Sequence, residues 1–456
     1  MQPKTENCMI QELKVKNFRS FKDEVTFSFE VTKNGVRNPD YNPDKDPLLV
    51  RVSDDVYLSR FAVIYGANAA GKTNLLNAFE FLFGFWPKKT NSPDKETGVK
   101  PFALDDKCLG KPTEFNLKFF VGGEKYWYQL VLTKSKVLSE NLYVYTSRQP
   151  SYVFKRDNDG IEFNQSIEPI GPIALEQLNL NCLSNMSVFA AKNSMNFKLA
   201  RVDTVIEWMK SSLMSMMDDS YEYFQLAERY VQENKSIAAH LLDFLKKADF
   251  NITNIDSEVE KQEIPEAILK NILSDPDTPE ELKERLREEK GFNAVKTFFH
   301  HQTEDETGYV DHRFPSAWQS RGTHCVFSVE TLIYMALRSN GFVMIDEMER
   351  SLHPDLVKYI IERFVATKDT TSQILISSHF TPLLDLESLR YDCFWFAEKD
   401  RKTGSTSLTS LVKKNSLKRR RSIEDGYIKA GNFGARPELE AIPKDERESP
   451  MLHQNI

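Results

Sequence analysis

The sequence predicts an α/β fold in which a mixed sheet lies beside an antiparallel β lobe and is interrupted by a helical insertion. Three observations carry that prediction. Stretches with strand-like alternation fill most of the N-terminal part, from "MIQELKVKNFRSF" to "SYVFKRD". Beyond the insertion, "GFVMIDE", "PDLVKYIIERFVATK" and "SQILISS" follow one another as strand, helix and strand, the order of a parallel sheet. Between the two parts, "VIYGANAAGKTNLLNAFEFL" (residues 63–82) runs from an apolar strand through two glycines into a helix.

Taken in order, residues 1–199 read as an N-terminal lobe. "MIQELKVKNFRSF" and "EVTFSFEV" pair as strands, and "NGVRNPDYNPDKDPLLVRVSDD" is an Asn-, Asp- and Pro-rich surface excursion. "RFAVIYG" is a short buried strand, and "EFNLKFFVGG", "KYWYQLVLT", "ENLYVYTS" and "SYVFKRD" add an antiparallel sheet. Residues 200–296 change character. "RVDTVIEWMKSSLMSMMDDSYEYFQLAERYVQ" and "EELKERLREEK" have helical periodicity and heavy charge, which predicts a helical insertion. Residues 297–456 return to the alternating pattern and form a C-terminal lobe. No internal repeat is visible.

Composition bounds the rest. The chain is 40% hydrophobic and 28% charged, an ordinary globular balance over 456 residues. A net charge of -7 argues against a protein that coats nucleic acid over its whole surface, though not against a local basic groove. Five cysteines stand far apart with no CxxC pair, which fits reduced thiols. No apolar run reaches the length of a membrane span, and "MQPKTENC" is no signal peptide, so a cytoplasmic protein without membrane contact is expected.

The quoted loop is the strongest signal. Gly66 to Thr73 fits G-x-x-x-x-G-K-[ST], whose glycines let successive N–H groups turn inward toward phosphate oxygens. The following helix adds its positive end. Lys72 is placed to reach the β- and γ-phosphates and Thr73 to ligate Mg²⁺, with Asn68, Ala70, Gly71 and Asn74 completing the candidate phosphate site. "GFVMIDEMERSLHP" supplies the second element: Asp346 to hold Mg²⁺ and Glu347 to polarise an attacking water. Glu349 is given a structural or surface role. His379 in "ILISSHFTPLLD" follows another apolar strand, at the carboxyl end where ligands gather in parallel sheets.

These parts resemble, in order, ATPases with the ABC-type head shared by RecF, SMC and OLD-family proteins. "LKVKNFRSFKD" is similar to their N-terminal strand, "GANAAGKTNLLNA" to their Walker A, "VMIDEMERSLHP" to Walker B with its D-loop, and "ISSH" to the switch histidine. "WQSRGTHCVFSVETLIYMAL" resembles the signature segment. The resemblance implies that Ser320 and Gly322 act in trans on ATP held by a second copy, in a head-to-tail dimer or higher homo-oligomer. It also implies that Arg19 approaches bound phosphate. Lys192 in "SVFAAKNS" stands where the group often has glutamine, and no Q-loop role is assigned. More narrowly, the chain resembles AAA-family ATPases of bacterial abortive-infection systems, the AbiL/RloA type, down to the tail segment "YIKAGNFGARPEL". That implies an ATP-hydrolysing sensor or regulator of a separate effector, a nuclease or toxin. The alternative is a RecF- or SMC-like DNA-repair or DNA-clamp ATPase, for which Lys418 to Arg421 is the densest basic run. A transporter subunit is set aside because 248 positions separate Lys72 from Ser320, and LSGGQ is absent.

Overall fold

A computed structural model describes residues 8–35, 41–217, 221–248, 250–275, 278, 280–306 and 308–413. The basic run and the tail segment named above lie outside the described residues.

Seven strands form the antiparallel sheet: β1 (Met9–Lys16), β2 (Val25–Ser28), β6 (Thr113–Val121), β7 (Glu124–Leu132), β8 (Val137–Tyr145), β9 (Ser151–Asp157) and β10 (Gly160–Phe163). Their order is β10-β9-β8-β7-β6-β1-β2. Strict alternation in "TEFNLKF" and "EKYWYQLVL" buries one face, as a one-sided sheet requires. A two-stranded hairpin of β3 (Leu49–Ser53) and β4 (Val56–Ser59) precedes the second sheet.

The second sheet has the order β14-β15-β5-β16-β17, with β5 (Phe61–Tyr65), β14 (Phe342–Ile345), β15 (Gln373–Ser377), β16 (Phe394–Lys399) and β17 (Thr406–Ser410). β14, β15, β5 and β16 run parallel, and β17 returns antiparallel. β5, β14 and β15 are buried on both faces, which explains their unbroken apolar character.

Two apolar cores result. One joins the antiparallel sheet to the helix Lys72–Phe85 and to Ala62 and Ile64 of β5. The other gathers Phe61, Val63 and Tyr65 with the helices Arg321–Ser339 and Pro354–Ala366. The helix after the glycine loop is therefore packed between sheets through Leu75, Leu76, Phe79 and Leu82. Each such side chain contributes about 1.5–3 kcal/mol by leaving water.

The segment expected to be a helical insertion is mixed. Ala200–Ser212, Tyr221–Glu233 and Lys235–Lys247 are helices. Then β11 (Asn254–Glu263), β12 (Gly291–Asp305) and β13 (Gly308–Pro315) form a three-stranded antiparallel sheet, with the helices Glu266–Ser274 and Glu280–Glu289 between β11 and β12. The expected boundary at residue 296 falls inside β12. The reason is physical: from Glu258 onward β11 is exposed on both faces, so no apolar period marks it. Polar groups hold its beginning instead. Arg313 reaches Asp256 and Glu258 at 2.6 Å, and His300 sits between Asp256 and Asp311.

Residues 213–217 add a feature invisible to pattern reading. Met217 N–H donates to Met344 O at 2.8 Å, and Asp346 N–H donates back to Met217 O at 2.9 Å, so this segment runs along the free edge of β14. No helix among the described residues is long and apolar enough to cross a membrane.

Candidate nucleotide site

The glycine loop is shaped by what packs against it. A Cβ on Gly66 would lie 2.6 Å from the backbone oxygen of Ala397, so only glycine lets β5 turn beneath β16. Gly71 has φ 104° and would place a Cβ 2.4 Å from Thr406 Oγ1 and 2.7 Å from Ser20 Oγ. Gly66 is required here by contact, and Gly71 by contact and torsion together. Thr406 Oγ1 donates to Ala70 O at 2.8 Å, tying the loop to β17. Gly71 is the N-cap and offers no side-chain acceptor. The Asn74 N–H donates to Gly71 O at 3.1 Å, and the N–H groups of Lys72 and Thr73 at the start of the 14-residue helix face no capping side chain, as an anion site requires.

The expected partners converge on this loop. Lys72 Nζ lies 3.2 Å from Gly66 O, 3.3 Å from Ala67 O and 2.6 Å from His379 Nε2. Burial pulls the Lys72 ammonium below its ordinary value, against the pull of Glu347, Asp346 and Glu349. His379 is likewise lowered, first by burial and then by the Lys72 charge, so its imidazole is neutral near pH 7. Thr73 Oγ1 donates to Asp346 at 3.0 Å, and Ser377 Oγ donates to the same carboxylate. Two hard oxygens about 3.0 Å apart match adjacent ligands of an octahedral ion with oxygens near 2.0–2.1 Å. The donor set therefore fits Mg²⁺, with Thr73 and Asp346 as the residues to hold it.

Glu347 follows Asp346 with φ 50°, an unfavourable conformation for a non-glycine residue. It is held by its N–H bond to Ser377 Oγ at 3.0 Å. Its carboxylate lies 4.0 Å from His379 Nε2 and 3.3 Å from Arg350. Glu349, assigned only a structural or surface role above, clasps the histidine loop. It accepts from Ser378 Oγ at 2.9 Å and from the His379 N–H. Glu349 thus has the structural role expected of it, whereas Ser377 was not singled out, its sole sequence signal being its place in "ISSH".

Other expected residues stand apart. Asn68 is exposed on the loop. Asn74 turns its amide to Ser20 Oγ at 2.7 Å and braces the loop against the turn after β1. Arg19, in that turn at φ 49°, lies 5.8 Å from the Phe18 ring, and its buried Nε has no hydrogen-bond partner among the described residues. Lys192 is bound to Asp203 at 2.7 Å. Ser320 caps its own helix, accepting from Thr323 N–H at 3.1 Å, and is exposed. A Cβ on Gly322 would meet Ser351 O at 2.9 Å, so the signature turn packs on the segment following the acidic pair.

An all-buried strand, an uncapped helix start and a lysine, threonine and acidic pair drawn together define the P-loop ATPase class. Residues 61–386 match the family described as "AAA domain, putative AbiEii toxin, Type IV TA system". The match covers well over half of the chain, and the chain belongs to that family. No curated protein matches it. Among solved structures, the chain is similar to the SMC head domain from Thermotoga maritima, at TM-score 0.40 and 11% identity over 88% of this chain and 98% of that one. The SmcHead bound to the C-winged helix domain of ScpA gives TM-score 0.38 and 13% identity over 90% and 99%. An Smc head with an extended coiled coil, bound to the C-terminal domain of ScpA derived from Pyrococcus furiosus, gives 0.39 and 10% over 90% and 98%. These likenesses are distant, and the assignment rests on the family match and the site.

The tightness of the loop gives a first expectation. Gly66→Ala forces its Cβ against Ala397 O and should destabilise the protein by about 1–3 kcal/mol, as overpacking does. Thermal unfolding measures the loss, and nucleotide affinity should fall with it. A Gly66→Ala protein as stable as the parent would mean the loop shifts freely.

Proposed function

We propose that the chain binds Mg·ATP at this loop and hydrolyses it, and that two copies complete each other's sites. The carrying observation is the convergence of Lys72, Thr73, Asp346, Glu347 and His379 at one strand-end cluster. Lys72 neutralises phosphate charge, Thr73 and Asp346 hold the metal, Glu347 takes a proton from water, and His379 positions the outer phosphate. Bound Mg²⁺ supplies charge neutralisation across the phosphates. Ser320, exposed at the start of a 19-residue helix, offers its hydroxyl and the helix end to the other copy's nucleotide.

Within a cell the reading is a cytoplasmic sensor or regulator in antiphage defence that controls a separate nuclease or toxin. The family's description, which names a toxin–antitoxin system, supports that role. Mixing two variants tests the shared site. Lys72→Ala and Ser320→Arg proteins should each be inactive alone, and their mixture should regain part of the ATPase activity. If the mixture dimerises yet recovers nothing, the shared site is wrong. Loss of phage protection in Lys72→Ala cells tests the biological role separately.

A further inference from the structure

The outer face of the seven-stranded sheet, turned away from the core, has no part in the ATPase reading. Side chains alternate along each strand, so the outward positions line up in rows across neighbouring strands. One row runs Lys118, Trp127, Tyr143, Tyr152 in register. The next runs Asn116, Gln129, Asn141, Lys155. All eight are only partly buried. Trp127 and Tyr143 adjoin with ring centroids 5.2 Å apart. Lys155 Nζ lies 4.6 Å from the Tyr152 ring centre, and Lys125 Nζ 4.9 Å from that of Tyr145.

Charge bookkeeping separates this face from a merely stabilising aromatic ladder. Glu12 is taken by Lys118 and Glu114 by Lys16, both at 2.9 Å. Lys125 and Lys155 form no ion pair among the described residues, although Glu30 and Glu12 act on Lys125 from beyond contact distance. Glu162 stands opposite Lys155 in register without an ion pair, and Asp157 lies on the same side, so the acidic groups bound the face at one edge. Gln129 Nε2 donates to Asn116 Oδ1 at 3.0 Å, whereas the Asn141 amide has no hydrogen bond among the described residues. Beside Asn141, Tyr143 and Lys155 the face dips into a depression of about 770 Å³, a size that admits a nucleotide; Asp157, Asp159 and Glu162 line its far side, which leaves the side of Asn141, Tyr143 and Lys155 for a phosphate-bearing ligand.

We propose that this face binds single-stranded nucleic acid. Rings in a row suit unstacked bases, unpaired lysines suit phosphates, and the free Asn141 amide suits a base edge in the depression. A duplex hides its base faces and cannot use the rings.

The test titrates full-length protein into fluorescein-labelled oligo(dT), oligo(U) and a duplex of equal length, followed by anisotropy at low and physiological salt. Saturable binding that prefers either single strand over the duplex is expected. Tyr143→Ala should weaken it about 5- to 100-fold. Lys155→Gln, a mild surface change, should weaken it for every sequence and reduce the log–log salt slope by about 0.7. Neither variant should alter ATP turnover. The proposal is overturned if no single strand binds, if the duplex binds as tightly, or if folded Tyr143→Ala and Lys155→Gln proteins both bind like the parent.

Discussion

Glu347→Gln is expected to lower ATP turnover by about 10²–10⁴ while nucleotide affinity stays close to that of the parent. Three carboxylates surround Lys72, and their partners decide which is free to act as base. Asp346 is spent on Thr73 and Ser377, the place of a metal ligand. Glu349 is spent on Ser378 and the His379 N–H, which fixes the loop. Glu347 remains, met by the largely exposed Arg350 and 4.0 Å from His379. Glutamine keeps its shape and its backbone bond to Ser377 but cannot accept a proton. The variant should therefore hold ATP without consuming it and accumulate as the nucleotide-bound dimer, seen by light scattering. Turnover within threefold of the parent would remove Glu347 from the mechanism, with Glu349 next to be tested.

The parts of this site legible in the sequence were those whose chemistry depends on local spacing. A glycine-bracketed turn with Lys72 and Thr73, and an acidic pair closing an apolar strand, declare themselves within a few residues. What holds them in place comes from far along the chain. Thr406 ties down Ala70, Ser20 receives Asn74, and Met217 pairs with the Asp346 backbone. None of these carries a local pattern, because a lone hydroxyl or a backbone oxygen has no periodicity. The same limit explains β11. Its pairing with β12 covers ten residues, yet its outer half meets water on both faces, so charge concealed a strand. The antiparallel lobe was legible because one wet face and one dry face write a period of two.

The largest stability effect should come from the buried pair of Arg156 and Glu140 inside that lobe. Glu140 is wholly buried and accepts from Tyr128 Oη at 3.0 Å and from Val188 N–H at 2.9 Å, with Arg156 Nη1 at 3.2 Å. Arg156 also donates to Met186 O at 2.6 Å and Leu183 O at 2.7 Å, pinning the crossing into the helix Val188–Lys192. Arg156→Met should cost about 3–5 kcal/mol, because it leaves a buried carboxylate without its counter-charge. Urea unfolding followed by tryptophan fluorescence measures it. Burial already raises Glu140 above its ordinary 4.5 even with Arg156 beside it, and removing the cation raises it further. A carboxyl raised in the folded state keeps its full stability below the unfolded value and loses it as pH rises through the folded one. The penalty in Arg156→Met should therefore be smallest near pH 4.5 and grow toward neutrality. Pairing it with Glu140→Gln should recover most of the loss, since glutamine still accepts from Val188 and no charge remains. A single variant as stable as the parent, or a penalty that shrinks as pH rises, would show that Arg156 does not compensate the Glu140 charge.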